Sequence, residues 1–177
     1  MTDDDYWKEQ YKATWGQSAQ REINIAKILE QQSGKKIKPV GLGAGSADYF
    51  SGSAASHGHV KGDADLQVVD TNIYLEVTGP LVMFVDEYQD LWVRPDKVAN
   101  AKERGAEHEI WVVHHLPKKD LLRVIPLGTE FWTALAAGSF PIVSPTIRGV
   151  RERYHALPAT HSCVKAFSVL VERLKSV

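Results

Sequence analysis

The sequence predicts an α/β domain: a mixed central sheet flanked by helices, with further helices added at the C-terminal end. Three observations predict it. Residues 62–79, GDADLQVVDTNIYLEVTG, read as two short strands around a polar turn. Residues 109–114, EIWVVH, are an apolar run of the kind a strand buried on both faces shows, and a helix pattern precedes them. Two other stretches, 18–32 and 164–174, carry apolar side chains at helical spacing.

The bulk numbers fit that class. A chain of 177 residues suffices for one domain with a sizeable core, taken as 1–177. Within it, 16–127 is the expected core and 128–177 a helical extension, with no repeat or low-complexity linker to suggest a second domain. Net charge is −1, so a nucleic-acid partner needs a local basic face rather than a globally basic protein. The single cysteine, Cys163, excludes an internal disulfide and a multi-cysteine zinc site. The acidic start, MTDDDYWKEQ, does not read as a secretory or transit signal, and the apolar runs are too short to span a bilayer. A cytoplasmic protein without a membrane partner is the expectation.

Taken in order, residues 3–32 predict a helix, with Asp3, Asp4 and Asp5 suited to its N-terminus and a break at Gly16. Ala19, Ile23, Ala26 and Leu29, or Ile25, Ile28 and Leu29, give it an apolar stripe; Glu22 lies beside that stripe, where a solvated acid is the plain reading, and Gly34 is a natural stop. Residues 41–59 are glycine-rich and read as a loop around a short edge strand at 48–50. Their GLGAGS lacks the Gly-Lys-Ser/Thr ending of a phosphate loop, and no clear strand precedes it, so a nucleotide site there is a separate, weaker reading. His57 and His59 in the same loop have the residue types of a transition-metal site but the setting of solvent-exposed histidines.

The hairpin follows, with strands at 66–69 and 73–77. Asp65 stands at the start of the first strand and Glu76 within the second. Carboxylates inside apolar strands are costly to bury unless paired or bound to a cation. Side chains alternate faces along a strand, so Asp65 and Glu76 share a face only if the connection has an even residue count or a bulge compensates. A plain alternative is an acid at a strand start and another on a solvated face; Asp63 is the alternate to Asp65. Residues 81–89 carry no clear pattern. Pro95 and Asp96 then open a helix that Gly105 ends, strands follow at 109–114 and 121–127, and Thr129 caps a helix to Ala137.

The pieces GQSAQREINIAKILE (16–30), GDADLQV (62–68) and EVT (76–78), followed by a helix and a strand, resemble the PD-(D/E)XK, restriction-endonuclease-like nuclease superfamily. The resemblance covers residues 16–127 and implies a metal-dependent DNA endonuclease. It implies Asp65 and Glu76 as ligands of Mg²⁺ or Mn²⁺, the carbonyl of Val77 as a further oxygen ligand, and Glu22 as a supporting acid. Hard oxygen donors suit these ions, and the ion activates water and offsets charge on the scissile phosphate. Thr78 stands where the family places its lysine. Either a lysine enters from elsewhere, with Lys97 first and Lys61 second, or the chain is an inactive relative that binds nucleic acid or a protein partner. Many nucleases of this fold are homodimers, which this chain's resemblance allows.

Residues suited to phosphate contact are Lys35, Lys36, Lys38, Arg94, Lys97, Lys102, Arg148, Arg151 and Arg153. Trp7, Trp15, Trp92, Trp111 and Trp132 could stack on bases but suit a core as well. His114, His115, His155 and His161 are of the acid–base type, and equally of the structural type.

Overall fold

The protein's structure, a computed structural model, describes residues 3–41 and 64–177, with the side chains of the first helix from residue 16 onward. In chain order it has α1 (Asp3–Ser33), β1 (Ile37–Pro39), β2 (Leu66–Val68), β3 (Ile73–Thr78), β4 (Leu91–Val93), α2 (Pro95–Arg104), β5 (Glu109–Leu116) and β6 (Leu121–Pro126). Then come α3 (Thr129–Ala136), β7 (Ile142–Val143), β8 (Thr146–Ile147), β9 (Val150–Arg151), β10 (Tyr154–Leu157), β11 (Lys165–Ala166) and α4 (Phe167–Lys175). The class is α/β, with a mixed central sheet between helices.

That sheet has the order β1-β2-β3-β5-β6-β11. β3 and β5 run parallel, and every other adjacent pair is antiparallel. Parallel neighbours need a crossover, and α2 lies in the segment that supplies it. Alternation along the strands then decides which side chains meet which helix. Ile73, Leu75, Trp111, Val113 and Val124 pack in one core with Ile25 and Leu29 of α1 and Leu170, Val171 and Leu174 of α4. The opposite face carries Ile110, Val112 and Ile125, packed with Val98 and Ala101 of α2 and Phe131 of α3. A small sheet, β4-β10-β7, closes this second core through Leu91, Val93 and Leu157. Glu76 belongs to the α2 face of β3, because Leu75 and Val77 belong to the other.

Several expected boundaries shift, each for a local reason. α1 runs through Gly16 without a break; a helical glycine costs about 1 kcal/mol, which the buried Ile25 and Leu29 of the same helix outweigh. Gly34 does end it, at φ +74° with its N–H 2.9 Å from the carbonyl of Glu30. Thr129 is not a cap: Gly128 holds that position without a side-chain bond, and Thr129 is already helical. α4 begins at Phe167 because Lys165 and Ala166 pair with Val124 and Arg123 as β11. The C-terminal part thus adds short strands to its two helices. The expected strand at 48–50 lies outside the described residues, as do the side chains of Asp3, Asp4 and Asp5. Among the described residues, no helix is long and apolar enough to cross a membrane.

A two-pronged pair fixes α4 to the sheet: Arg173 Nη2 and Nε lie 2.7 and 2.9 Å from the two carboxylate oxygens of Glu109. Both side chains are about one-third exposed, so solvent screens the pair. Arg173→Ala is expected to lower stability by about 1 kcal/mol or less in urea unfolding.

Candidate active site

Asp65 sits one residue ahead of β2 and is held on three sides. Its carbonyl accepts from Val40 N–H at 3.0 Å, its own N–H donates to Leu75 O at 3.0 Å, and its Oδ2 accepts from Val77 N–H at 2.8 Å. β2 and β3, in the register Leu66↔Leu75 and Gln67↔Tyr74, are joined by the four residues 69–72. Asp70 takes φ +61°, and Thr71 closes the turn with its N–H 3.2 Å from Val68 O. The connection is even, which is the condition for Asp65 and Glu76 to share a face.

They do share one. Lys97, in the first turn of α2, places its ammonium 2.8 Å from Glu76 Oε2 and 3.7 Å from Asp65 Oδ1. Glu76 is 7% exposed and Asp65 6%. Burial pushes the Glu76 carboxyl well above the ordinary carboxylate range, and the neighbouring Asp65 adds to this, while Lys97 opposes both. Burial works against the Lys97 charge, but Glu76 and Asp65 outweigh it and hold the amine protonated. Two carboxylates thus share one ammonium.

The N–H of Val77 points to the β2 side, where Asp65 receives it. Its carbonyl leaves the strand on that same side, because the N–H and C=O of one strand residue point to the same neighbouring strand. Glu22 on α1 is buried at 5% exposure, not solvated at the edge of the stripe. Among the described residues, no group of three or more His, Cys, Asp or Glu side chains is arranged to hold a metal ion. Glu22 is therefore not gathered with Asp65 and Glu76 into a three-acid cage.

Thr78 pairs with His114 of β5 and is half-buried. His114 is buried, and burial together with Arg123, Arg21 and His115 lowers its pKa to about 3, so it stays neutral and moves no proton near pH 7. His155 faces the Phe140 carbonyl at 3.2 Å, and His161 accepts from Cys163 N–H at 3.1 Å; both are structural. Trp111 is buried in the first core and Trp132 packs against the second. Trp92 keeps an exposed side and stacks on Tyr154 at 5.4 Å. His57, His59, Lys61, Asp63 and the glycine loop beyond Gly41 lie outside the described residues, as do the side chains of Trp7 and Trp15.

The sequence reading missed the brace beside this site. Arg21 donates to the carbonyl of Gly79 at 2.7 Å and to that of Pro80, and Arg123 donates to Glu87 O at 3.0 Å. Both arginines thus grip the segment that leaves β3. Arg21 lies next to the apolar stripe of α1 with nothing in its sequence setting to mark this partner.

No family model and no curated protein matches the chain. Among solved structures, the fold is similar to that of D212, a nuclease from a fusselovirus, with 12% identity, a TM-score of 0.47 and coverage of 88% of this chain and 86% of that one. An overlap of that quality leaves the chemistry to be argued from the residues.

Proposed function

We propose that the protein is a metal-dependent nuclease of the PD-(D/E)XK type that hydrolyses phosphodiester bonds in DNA. The observation that supports this best is the ammonium of Lys97, at 2.8 Å from Glu76 and 3.7 Å from Asp65, supplied by the helix after the hairpin instead of by position 78. It offers the charge that Thr78 cannot.

The donor set suits a hard cation. Two carboxylates and one backbone carbonyl leave the remaining positions to water, which is how Mg²⁺ and the similar Mn²⁺ are usually held. Asp65, Glu76 and the Val77 carbonyl would hold the ion, which when bound supplies charge stabilisation and an acidified water. The chain's own residues do the rest. The Val77 N–H fixes Asp65 through Oδ2 and leaves Oδ1 on the side of Lys97. Lys97 keeps a positive charge where charge develops on a phosphate oxygen, and it orients the attacking water. Burial of Glu76 excludes bulk water from its carboxylate.

Supercoiled, linear and branched DNA incubated with Mn²⁺ is expected to be cut by the wild type and left intact by Asp65→Ala. No cleavage, together with no heat of Mn²⁺ binding in calorimetry, would sink the proposal. One observation favours a second reading, a non-catalytic relative that binds nucleic acid or a protein: the Lys97–Glu76 pair already offsets the buried charge of Glu76. That reading predicts binding without cleavage under the same conditions.

A further inference from the structure

The helix that delivers Lys97 begins where a second surface ends. β4 carries Trp92, Arg94 follows it, and α2 starts at Pro95. Trp92 is 38% exposed and stacks on Tyr154 of β10, with rings nearly parallel at 20°. Immediately before β10, β8 and β9 form a two-stranded hairpin, with Arg148 at φ +52° and Gly149 at φ +77° in its turn. Two successive positive φ values make the tight turn that right-twisted strands favour, so the hairpin has a defined shape. Arg151 and Arg153, at its return, are exposed.

The charge there is one-sided. Residues 145–155 contain Arg148, Arg151 and Arg153 against one acid, Glu152, and Glu152 is bonded to the Tyr154 hydroxyl. Arg94 is half-exposed and pairs with Asp96 at 2.6 Å. It is the N-cap residue of α2, three residues ahead of Lys97, which links this surface to the carboxylate site. Exposed arginines beside an exposed aromatic face match the two chemistries of single-stranded nucleic acid, phosphates and base faces.

We propose that the β8–β9 hairpin and the Trp92–Tyr154 stack form a nucleic-acid arm that holds single-stranded DNA running out of the carboxylate site. Arg151 and Arg153 contact phosphates, and Trp92 offers a base its exposed side. The proposal rests on the nuclease reading for its direction, but its test does not need cleavage.

Binding of fluorescein-labelled single-stranded and duplex oligonucleotides is measured by anisotropy, in EDTA, over a range of salt. Wild type is expected to bind the single strand more tightly than the duplex. Arg151→Ala/Arg153→Ala is expected to weaken single-strand binding about tenfold or more and to reduce the salt slope by about 1.4, roughly 0.7 for each phosphate contact. Arg151→Lys/Arg153→Lys should restore most of the slope. Trp92→Ala should weaken single-strand binding by about fivefold or more, with little effect on duplex. An unchanged affinity and slope in the double alanine variant overturns the arm, as does a wild type that binds neither DNA. Arm-dependent binding without Mn²⁺ cleavage leaves the arm standing and counts against the nuclease reading alone.

Discussion

Lys97→Met is expected to reduce Mn²⁺-dependent cleavage by at least about a hundredfold, the usual loss when one preorganised charge-stabilising group is removed. It is also expected to lower stability by about 3 kcal/mol in the metal-free protein, because it strands buried carboxylates without their cation. The methionine keeps most of the lysine's length, so packing under α2 changes little. The pH dependence carries the diagnosis. Burial first, and Asp65 second, raise the Glu76 carboxyl, and Lys97 is what opposes them. A carboxyl raised in the folded state binds protons more tightly there than in the unfolded chain. Its effect is therefore to make stability fall as pH rises above the ordinary glutamate range, up to the folded pKa. Without Lys97 that folded pKa rises further and the loss extends to higher pH. As pH rises above the ordinary glutamate range, the melting temperature of Lys97→Met should drop more steeply than that of wild type. A variant that cuts DNA normally, or whose melting temperature keeps the wild-type pH profile, would remove Lys97 from the site.

The acids of this site are legible because they break a rule. Asp65 and Glu76 interrupt strands that are otherwise apolar, and buried carboxylates demand a partner. Lys97 is legible for a different reason: Pro95 and Asp96 mark a helix start, which puts Lys97 in the first turn of the element after the hairpin. Glu22 misleads, because the edge of an amphipathic stripe looks solvated in one helix and is buried once α1 docks. The small sheet was not readable. Leu91–Val93 pairs with Tyr154–Leu157 some sixty residues on, and strands of two to four residues show no periodicity to detect. β11 hid for the same reason, inside what scans as the start of the last helix. Thr129 was a sound cap by residue type, yet the bend came one residue earlier, at Gly128. Local chemistry therefore marked the two acids, while pairing between distant short segments supplied the surface around them.

Gly79→Ala should be the most damaging single-methyl change in the described part of the protein. Gly79 follows directly on β3, and its φ is +140°, a conformation that side chains other than hydrogen rarely accept. A methyl there would sit 2.1 Å from the carbonyl oxygen of His115 and 3.0 Å from its carbonyl carbon. Both are backbone atoms of β5, a central strand, and cannot swing away as a flexible side chain does. Backbone strain and overpacking each cost about 1–3 kcal/mol, so a loss of about 3 kcal/mol or more is expected in urea unfolding. Gly128→Ala is the matched control: its φ is −116° and an added methyl meets nothing within 4 Å. It should unfold close to wild type. The damage should also reach the site. Gly79 and Pro80 present the carbonyls that Arg21 grips, and Glu76 lies three residues upstream on the same strand. If β3 lifts from β5 at this end, the Glu76 carboxylate moves relative to Lys97, whose helix is anchored on the other core by Val98 and Ala101. Cleavage by the folded fraction of Gly79→Ala should then fall while single-strand binding by the Arg151 hairpin persists. Equal unfolding midpoints for the two glycine variants would show that the close approach of Gly79 to His115 does not hold this strand end in place.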